Sequence, residues 1–411
     1  MHGERRVAVS GVGAITALGS SWHEVQQRLR ARHNAVRYMP EWERFTDLAA
    51  KLAAPIDTFE PPGRWTRKQT RGMGRVSQLA VAAAEIALRD ADVIGDPLLA
   101  SGEAGVACGS SIGSIPDIKD FAIMLLEGAS PGLNANSYVR MMPHTAAANL
   151  SIFFGMKGRI IPTSSACTSG SQAIGYAYEA IRHGKQKLMI AGGSEELCPT
   201  QAMSFDILYA TSRRNGEPHA TPRPYDRDRD GLVVGEGAAI LVLEDFEQAR
   251  ARGARIYAEV VGFATNSDGS HVTRPEEATM RLVQELALSD AGLPASAIGY
   301  VNGHGTATEH GDIAESRATA AALGSHVPIS SQKSFLGHTL GACGAIEAWL
   351  SIEMMNVGWF APTLNLEHID PRCGELDYIA GEGRSLDVEH VMSNNFAFGG
   401  VNTSLIFKRA S

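Results

Sequence analysis

Strand-like and helix-like patterns alternate along the whole chain. Residues 6–13 (RVAVSGVG) alternate branched and small side chains and predict a first strand, followed by a helix over 22–32. A long amphipathic helix rich in alanine and leucine is predicted over 75–91, then a buried strand at 104–111 (AGVACGSS). A helix of small and apolar residues spans 166–183, with Gly184 placed to close it at C′. Strands follow at 187–196, 237–246 and 255–264. The second part repeats this rhythm: a helix over 276–291 stopped by Gly292 and Pro294, a strand at 297–305, a helix over 312–323 and a strand at 327–331. A buried helix at 341–356 and a hairpin pairing 390–396 with 402–408 complete the chain. Such alternation predicts an α/β fold of layered sheets and helices. One small-residue helix sits in the middle of each strand series, which suggests an internal duplication with halves at 1–250 and 251–411.

Length and composition narrow the function. The chain has 411 residues, 44% hydrophobic and 20% charged, an ordinary globular balance large enough for two halves sharing a core. Its net charge of −8 argues against a nucleic-acid binder. The five cysteines are odd in number and contain no CxxC pair, so neither a disulfide framework nor a thiolate zinc site is expected. A reducing cytoplasm fits that usage, and no apolar run reaches the length of a membrane span. The opening segment has two arginines before an apolar stretch, but its glycines and β-branched alternation read as a strand and turn rather than a signal peptide.

Four segments carry candidate chemistry. In PTSSACTSGSQAIGYAYEAIRHG, Cys167 stands at a predicted helix N-terminus, with Ser164 and Ser165 as N-cap residues. The positive partial field there should favour thiolate, and the backbone N–H of Cys167 is free to face an oxyanion. VNGHGTATEHGDIAESRA places His304 between glycines just past a strand end, whereas His310 reads as structural or exposed. ISSQKSFLGHTLGACGAIEAW places Lys333 and His338 in a loop leading into the buried helix. SNNFAFGGVN is a tight turn whose Gly399 and Gly400 permit geometry that aims a backbone N–H. Two patterns are set aside. PYDRDRDGLVVGEGA opens like a calcium loop but puts Glu236 one position early and adds Arg227 and Arg229. GSSIG at 109–113 matches a nucleophile elbow around Ser111, a short pattern common by chance.

In order, ACTSG, HGTATxxGD, KSxxGHTLGACGxxE and NNFAFGG resemble the β-ketoacyl-ACP synthases of the I/II type, condensing enzymes of the thiolase fold. The resemblance runs nearly end to end and includes PYDxxRDGLVxGEGA. It implies a duplicated αβαβα architecture with mixed five-stranded sheets, a homodimer, and no metal or organic cofactor. It also implies Cys167 as nucleophile, His304 and His338 as the catalytic histidines, Lys333 beside them and Glu315 in support. Phe398 matches the gating phenylalanine whose N–H joins that of Cys167 in the oxyanion hole, with Gly399 in the same gate turn. The expected partner is an acyl carrier protein bearing acyl and malonyl groups. The run RWTRKQTRGMGR matches a carrier-docking segment in which Lys68 and Arg71 align with carrier-contacting residues. No acidic residue occurs over 61–84, so a local basic face is expected on an acidic protein.

The final turn departs from the usual family pattern NSFGFGGTN at Asn395, Ala397 and Val401. With GACGAIEAW, the variant resembles synthases of aryl-polyene pigment pathways. The rivals are a thiolase, which requires a second catalytic cysteine, and a non-catalytic chain-length partner subunit, which would lack Cys167. The last cysteine, Cys373, lies in an acidic loop rather than a glycine turn. A Ser111 hydrolase is the third. Acyl length and aryl preference depend on walls such as 115–128 and 205–212, whose facing residues the sequence leaves open.

Overall fold

Small side chains at the starts of two helices decide how closely the halves of the chain approach. The computed structural model describes residues 4–130 and 132–410. In chain order the main elements begin with β1 (Val7–Thr16), α1 (Trp22–Arg30), α2 (Arg75–Asp90), β2 (Ala104–Gly109) and β3 (Ile160–Thr163). They continue with α3 (Ser169–Arg182), β4 (Leu188–Glu195), β5 (Gly237–Asp245) and β6 (Ala258–Ser267). The remainder are α4 (Glu277–Ala291), β7 (Ile298–Asn302), α5 (Glu309–Leu323), β8 (Pro328–Ser330), α6 (Cys343–Val357), β9 (Asp377–Tyr378), β10 (His390–Ala397) and β11 (Val401–Arg409).

The strands before residue 250 lie in the order β3-β2-β4-β5-β1, and those after it in the order β8-β7-β10-β11-β6. Counted within each set, both orders are third, second, fourth, fifth, first. The pairings also repeat: two parallel contacts, then two antiparallel ones. This is the duplication that the sequence only suggested. The five-stranded sets are not separate sheets, because Val7, Ala8 and Val9 of β1 pair with Val260, Glu259 and Ala258 of β6. With the short β9 at one edge, the strands form one continuous eleven-stranded sheet.

Helices α3 and α6 form the middle layer, and their apolar faces share one core with both sets of strands. Helix α2 covers the outer face of the first set, and α4 and α5 that of the second. The central pair packs backbone to backbone: a Cβ on Gly170 would lie 2.9 Å from Ala345 N, and one on Gly344 2.8 Å from Ser171 N. Only hydrogen fits there, so the ACTSG and GACG segments meet at one point of the core. Helix α6 is buried almost all round, which is why its sequence shows no amphipathic stripe. Burying each large side chain such as Leu350 or Ile352 contributes about 1.5–3 kcal/mol. Between β2 and β3 the first half carries extra helices, Ile118–Glu127 and Thr145–Phe154 among them.

Candidate active site

Cys167 lies in a single 3-10 turn, Ala166–Thr168, just ahead of α3. Ala166 adopts a left-handed φ of 50°, an uncommon state for a residue with a side chain, and this sets the direction of the next peptide. The expected serine caps do not form. Ser165 occupies the N-cap position, yet its hydroxyl is buried without a partner, and Ser164 Oγ turns instead to Ser111 O. Nor does the helix field produce a resting thiolate. Burial pushes the Cys167 thiol up to about 12, against the lowering effects of Lys333 and of the Phe398 and Cys167 N–H groups. Those two N–H groups lie close enough to the sulfur to favour negative charge there.

His338 is held rigidly. Its N–H donates to Val233 O at 2.7 Å and its carbonyl accepts from Gly235 N at 2.9 Å. Its Nε2 lies 3.1 Å from Cys167 Sγ, while Leu340 N–H donates to its Nδ1 at 3.2 Å. An Nδ1 that accepts leaves the proton on Nε2, so His338 presents an N–H donor to the sulfur and the cavity.

His304 is arranged alike by different means. Lys333 Nζ, a donor only, lies 3.1 Å from His304 Nδ1, so this ring too carries its proton on Nε2. The two imidazoles stand edge to face with centroids 5.1 Å apart. Burial, then the nearby Lys333, holds both well below the ordinary histidine value, so both are neutral donors at pH 7. The carboxyl group of Glu315 fixes the loop, its oxygens accepting from His304 N at 2.5 Å and Gly305 N at 2.7 Å. Asp312 accepts from Thr306 N and Ala307 N, and buried Arg229 ties the carbonyls of Thr308 and Glu309 to Asp370. The segment that imitates a calcium loop is therefore a brace for the histidine loop. His310 is exposed.

Phe398 follows β10 at the tip of the glycine turn, partly exposed, with its ring 5.2 Å from that of Phe205. Gly399 does not serve as an oxyanion donor: its N–H goes to Val272 O at 2.7 Å, so it anchors the gate turn and leaves Phe398 N–H to face the sulfur. Cys167, His304, His338, Phe398, Leu208 and Val272 line one cavity of about 440 Å³. Lys68 and Arg71 are exposed on and just after the short helix Arg67–Thr70, away from that lining.

Three participants lacked a role in the sequence reading. Glu347 is the buried partner of Lys333, with Nζ to Oε1 at 2.5 Å, although the GACGxxE spacing had displayed it one turn into α6. Asn395 donates to Glu347 Oε2 at 2.7 Å. Cys343 donates its thiol to Cys167 O at 3.2 Å, and burial keeps that thiol protonated.

Cys167, His304 and His338 bring three possible metal-ligand atoms within 4.8 Å of one another. The donors on both Nδ1 atoms oppose such use, because Nε2 then carries hydrogen rather than a free lone pair. The rival nucleophile Ser111 bonds through its hydroxyl to buried Glu195, with its N–H on the same carboxylate at 2.7 Å, and has no imidazole partner among the described residues. Cys373, the thiolase alternative, packs in the outer core of the second half and does not line the cavity.

Comparison with known proteins agrees with this geometry. Residues 4–249 match "Beta-ketoacyl synthase, N-terminal domain" and residues 257–367 match "Beta-ketoacyl synthase, C-terminal domain". The chain is 37% identical to 3-oxoacyl-[acyl-carrier-protein] synthase 2 of Synechocystis, covering 99% of this chain and 98% of that one. A solved β-ketoacyl synthase from Burkholderia phymatum superimposes with a TM-score of 0.98 at 60% identity, covering 99% and 100% of the two chains. A ketosynthase in complex with a type II PKS acyl-carrier protein superimposes at 0.89 with 29% identity, covering 99% and 100%.

Proposed function

We propose, starting from the fact that the chain belongs to the β-ketoacyl synthase family, that it catalyses decarboxylative condensation of an acyl group with malonyl-carrier protein. The product is a 3-oxoacyl thioester, formed in fatty-acid or polyketide chain elongation. The protein is an acyltransferase. The observation that carries the residue assignment is the meeting of Cys167 Sγ, two neutral imidazoles with Nε2–H facing the cavity, and two backbone donors on the sulfur.

In the first half-reaction Cys167 Sγ attacks the carbonyl carbon of an acyl-carrier thioester. The carrier C–S bond breaks, the Cys167 S–C bond forms, and the thiol proton leaves on the departing carrier thiol. His338 Nε2–H stabilises charge on the sulfur, which offsets the burial that keeps the free thiol protonated. Phe398 and Cys167 N–H hold the oxyanion. In the second half-reaction malonyl-carrier loses carbon dioxide, and the electron pair of the broken C–C bond becomes an enolate held by His304 and His338. The carbanion attacks the acyl-Cys167 carbonyl, the new C–C bond forms as the S–C bond to Cys167 breaks, and the released thiolate takes its proton from solvent. No resident metal or organic cofactor has a step in this scheme. Residues 1–250 supply the nucleophile and 251–411 the histidines.

The exposed basic residues Lys68 and Arg71 suit docking of an acidic acyl carrier protein. A homodimer is supported by edge strand β3, by exposed Ile152 on the helix Thr145–Phe154 packed beside it, and by exposed Leu125 and Leu126 on the helix Ile118–Glu127. A heterodimer with a synthase-like subunit would use the same face, and light scattering of the purified chain separates the two. Among the described residues no helix is long and apolar enough to cross a membrane, and the free cysteines suit a cytoplasmic setting. The variant turn NNFAFGGVN supports an aryl-polyene type of pathway.

Intact-mass analysis after mixing with acyl-carriers, one of them aryl-primed, tests the reading. An adduct on wild type and none on Cys167→Ala is expected, and the best-loading acyl group reports the pathway. Absence of any adduct on folded wild-type protein would overturn it.

A further inference from the structure

Asn395 stands where the family pattern that the chain resembles carries serine. It is fully buried on β10, opposite Thr403 of β11. Its Nδ2 donates to Glu347 Oε2 at 2.7 Å and lies 3.3 Å from His304 Nδ1. Its orientation is determined by charge: rotating the amide would set Oδ1 against the Glu347 carboxylate, acceptor against acceptor. In the observed orientation Oδ1 is buried with no partner among the described residues, as are the Oδ1 atoms of Asn302 and Asn394. The NH₂ group is thus the part of the side chain that the site uses. It has two hydrogens: one goes to Glu347, and the other faces His304 Nδ1 at 3.3 Å, with Cys343 Sγ farther away at 3.8 Å. A serine hydroxyl has one and cannot serve both.

We propose that Asn395 is a positioning residue that backs up Lys333, holding His304 in the Nε2–H tautomer needed for malonyl decarboxylation. The inference rests on the functional reading above. Glu347 is the hub, because it binds Lys333 through one oxygen and Asn395 through the other, and both donors reach the same Nδ1. His304 faces the enolate oxygen and not the acyl-transfer step, so Asn395 acts on one half-reaction only.

The test compares wild type, Asn395→Ser and Asn395→Asp in the full chain. Acyl loading of Cys167 is followed by intact mass, carbon dioxide release from malonyl-carrier by a coupled assay, and the His304 ring state by ¹⁵N NMR of histidine-labelled protein. Asn395→Ser should keep its loading rate within twofold and lose about tenfold in carbon dioxide release. Asn395→Asp should lose more and should move the His304 signals toward an Nδ1–H tautomer or an imidazolium, because a carboxylate now faces Nδ1. Unchanged carbon dioxide release and ring signals in both variants would overturn the proposal, as would equal losses in the two half-reactions. Failure of wild type to load or decarboxylate would instead overturn the functional reading.

Discussion

Glu347→Gln removes one member of a deeply buried ion pair beside His304. Lys333 and Glu347 are 2% and 3% exposed and lie 2.5 Å apart. Burial works against the lysine charge, but Glu347 more than restores it, leaving Lys333 above its ordinary value. Such a pair gains little net stability over apolar residues, yet stranding one charge typically costs about 3–5 kcal/mol. Glu347→Gln strands the ammonium, whose other close partner is the neutral His304. Lys333→Met strands the carboxylate, leaving it Asn395. Each single variant should therefore lose about 3–5 kcal/mol, while the double variant loses about as much as one of them, a coupling of about 3–5 kcal/mol. Guanidinium denaturation of all four proteins measures this, with midpoint shifts converted by the wild-type slope. A raised lysine value means that the pair's contribution is present at lower pH and lost only as pH rises through the folded lysine value. Burial also raises the Glu347 carboxyl above its ordinary value, so the charged pair weakens as pH falls toward that raised value and the coupling should be no larger at pH 6 than at pH 8. Singles that add up in the double variant would refute the idea that the two charges depend on each other.

His304→Ala should keep acyl loading of Cys167 and slow carbon dioxide release from malonyl-carrier about 10²–10³-fold, the usual cost of one oxyanion donor; separate half-reaction assays check this. Burial pushes the Glu315 carboxyl up to about 8, above its unfolded value, so the protonated form stabilises the fold. That contribution is full below the unfolded value and is lost as pH rises through about 8. The melting temperature of wild type should therefore fall more steeply from pH 5 to 9 than that of Glu315→Gln. Charge reversal of Lys68 and Arg71 to glutamate should raise KM for the carrier at low salt with kcat unchanged, and the difference should shrink at high salt.

The alternation of patterns was enough for the α/β class, and the expected elements differ from the observed ones mainly at their ends, but strand β3 and the helices Ile118–Glu127, Thr145–Phe154 and Pro199–Asp206 were not expected. Helix α1 stops at Arg30 rather than residue 32, where Arg32 already has a left-handed φ. The duplication was visible only as two small-residue helices, because the strand order that proves it is made by pairings between distant segments. That the two five-stranded sets join into one sheet depends on three residue pairs between β1 and β6, for which neither strand carries a local signal.

At the site the distinction is sharper. Cys167, His304, Lys333, His338, Glu315 and Phe398 were legible because each sits in a short segment whose spacing reflects local geometry: a turn before a helix, a loop after a strand, a glycine hairpin. Local rules failed where the third dimension intervened. A helix terminus in isolation favours thiolate, yet the surrounding protein desolvates Cys167 and burial wins. Ser165 is a good cap by type, yet packing leaves its hydroxyl unpaired. Gly399 looks free to donate, yet a loop more than a hundred residues earlier brings Val272 O to its N–H. The sequence by itself determined the reactive residue types and their local backbone, since turns, caps and strand ends are written within a few positions. Only the tertiary structure decided protonation, tautomer and pairing: which ring nitrogen carries hydrogen, that Lys333 answers Glu347, and that Asn395 reaches both. These are differences of solvation and distance between groups far apart in the chain, and they exist only once the two halves have closed around them.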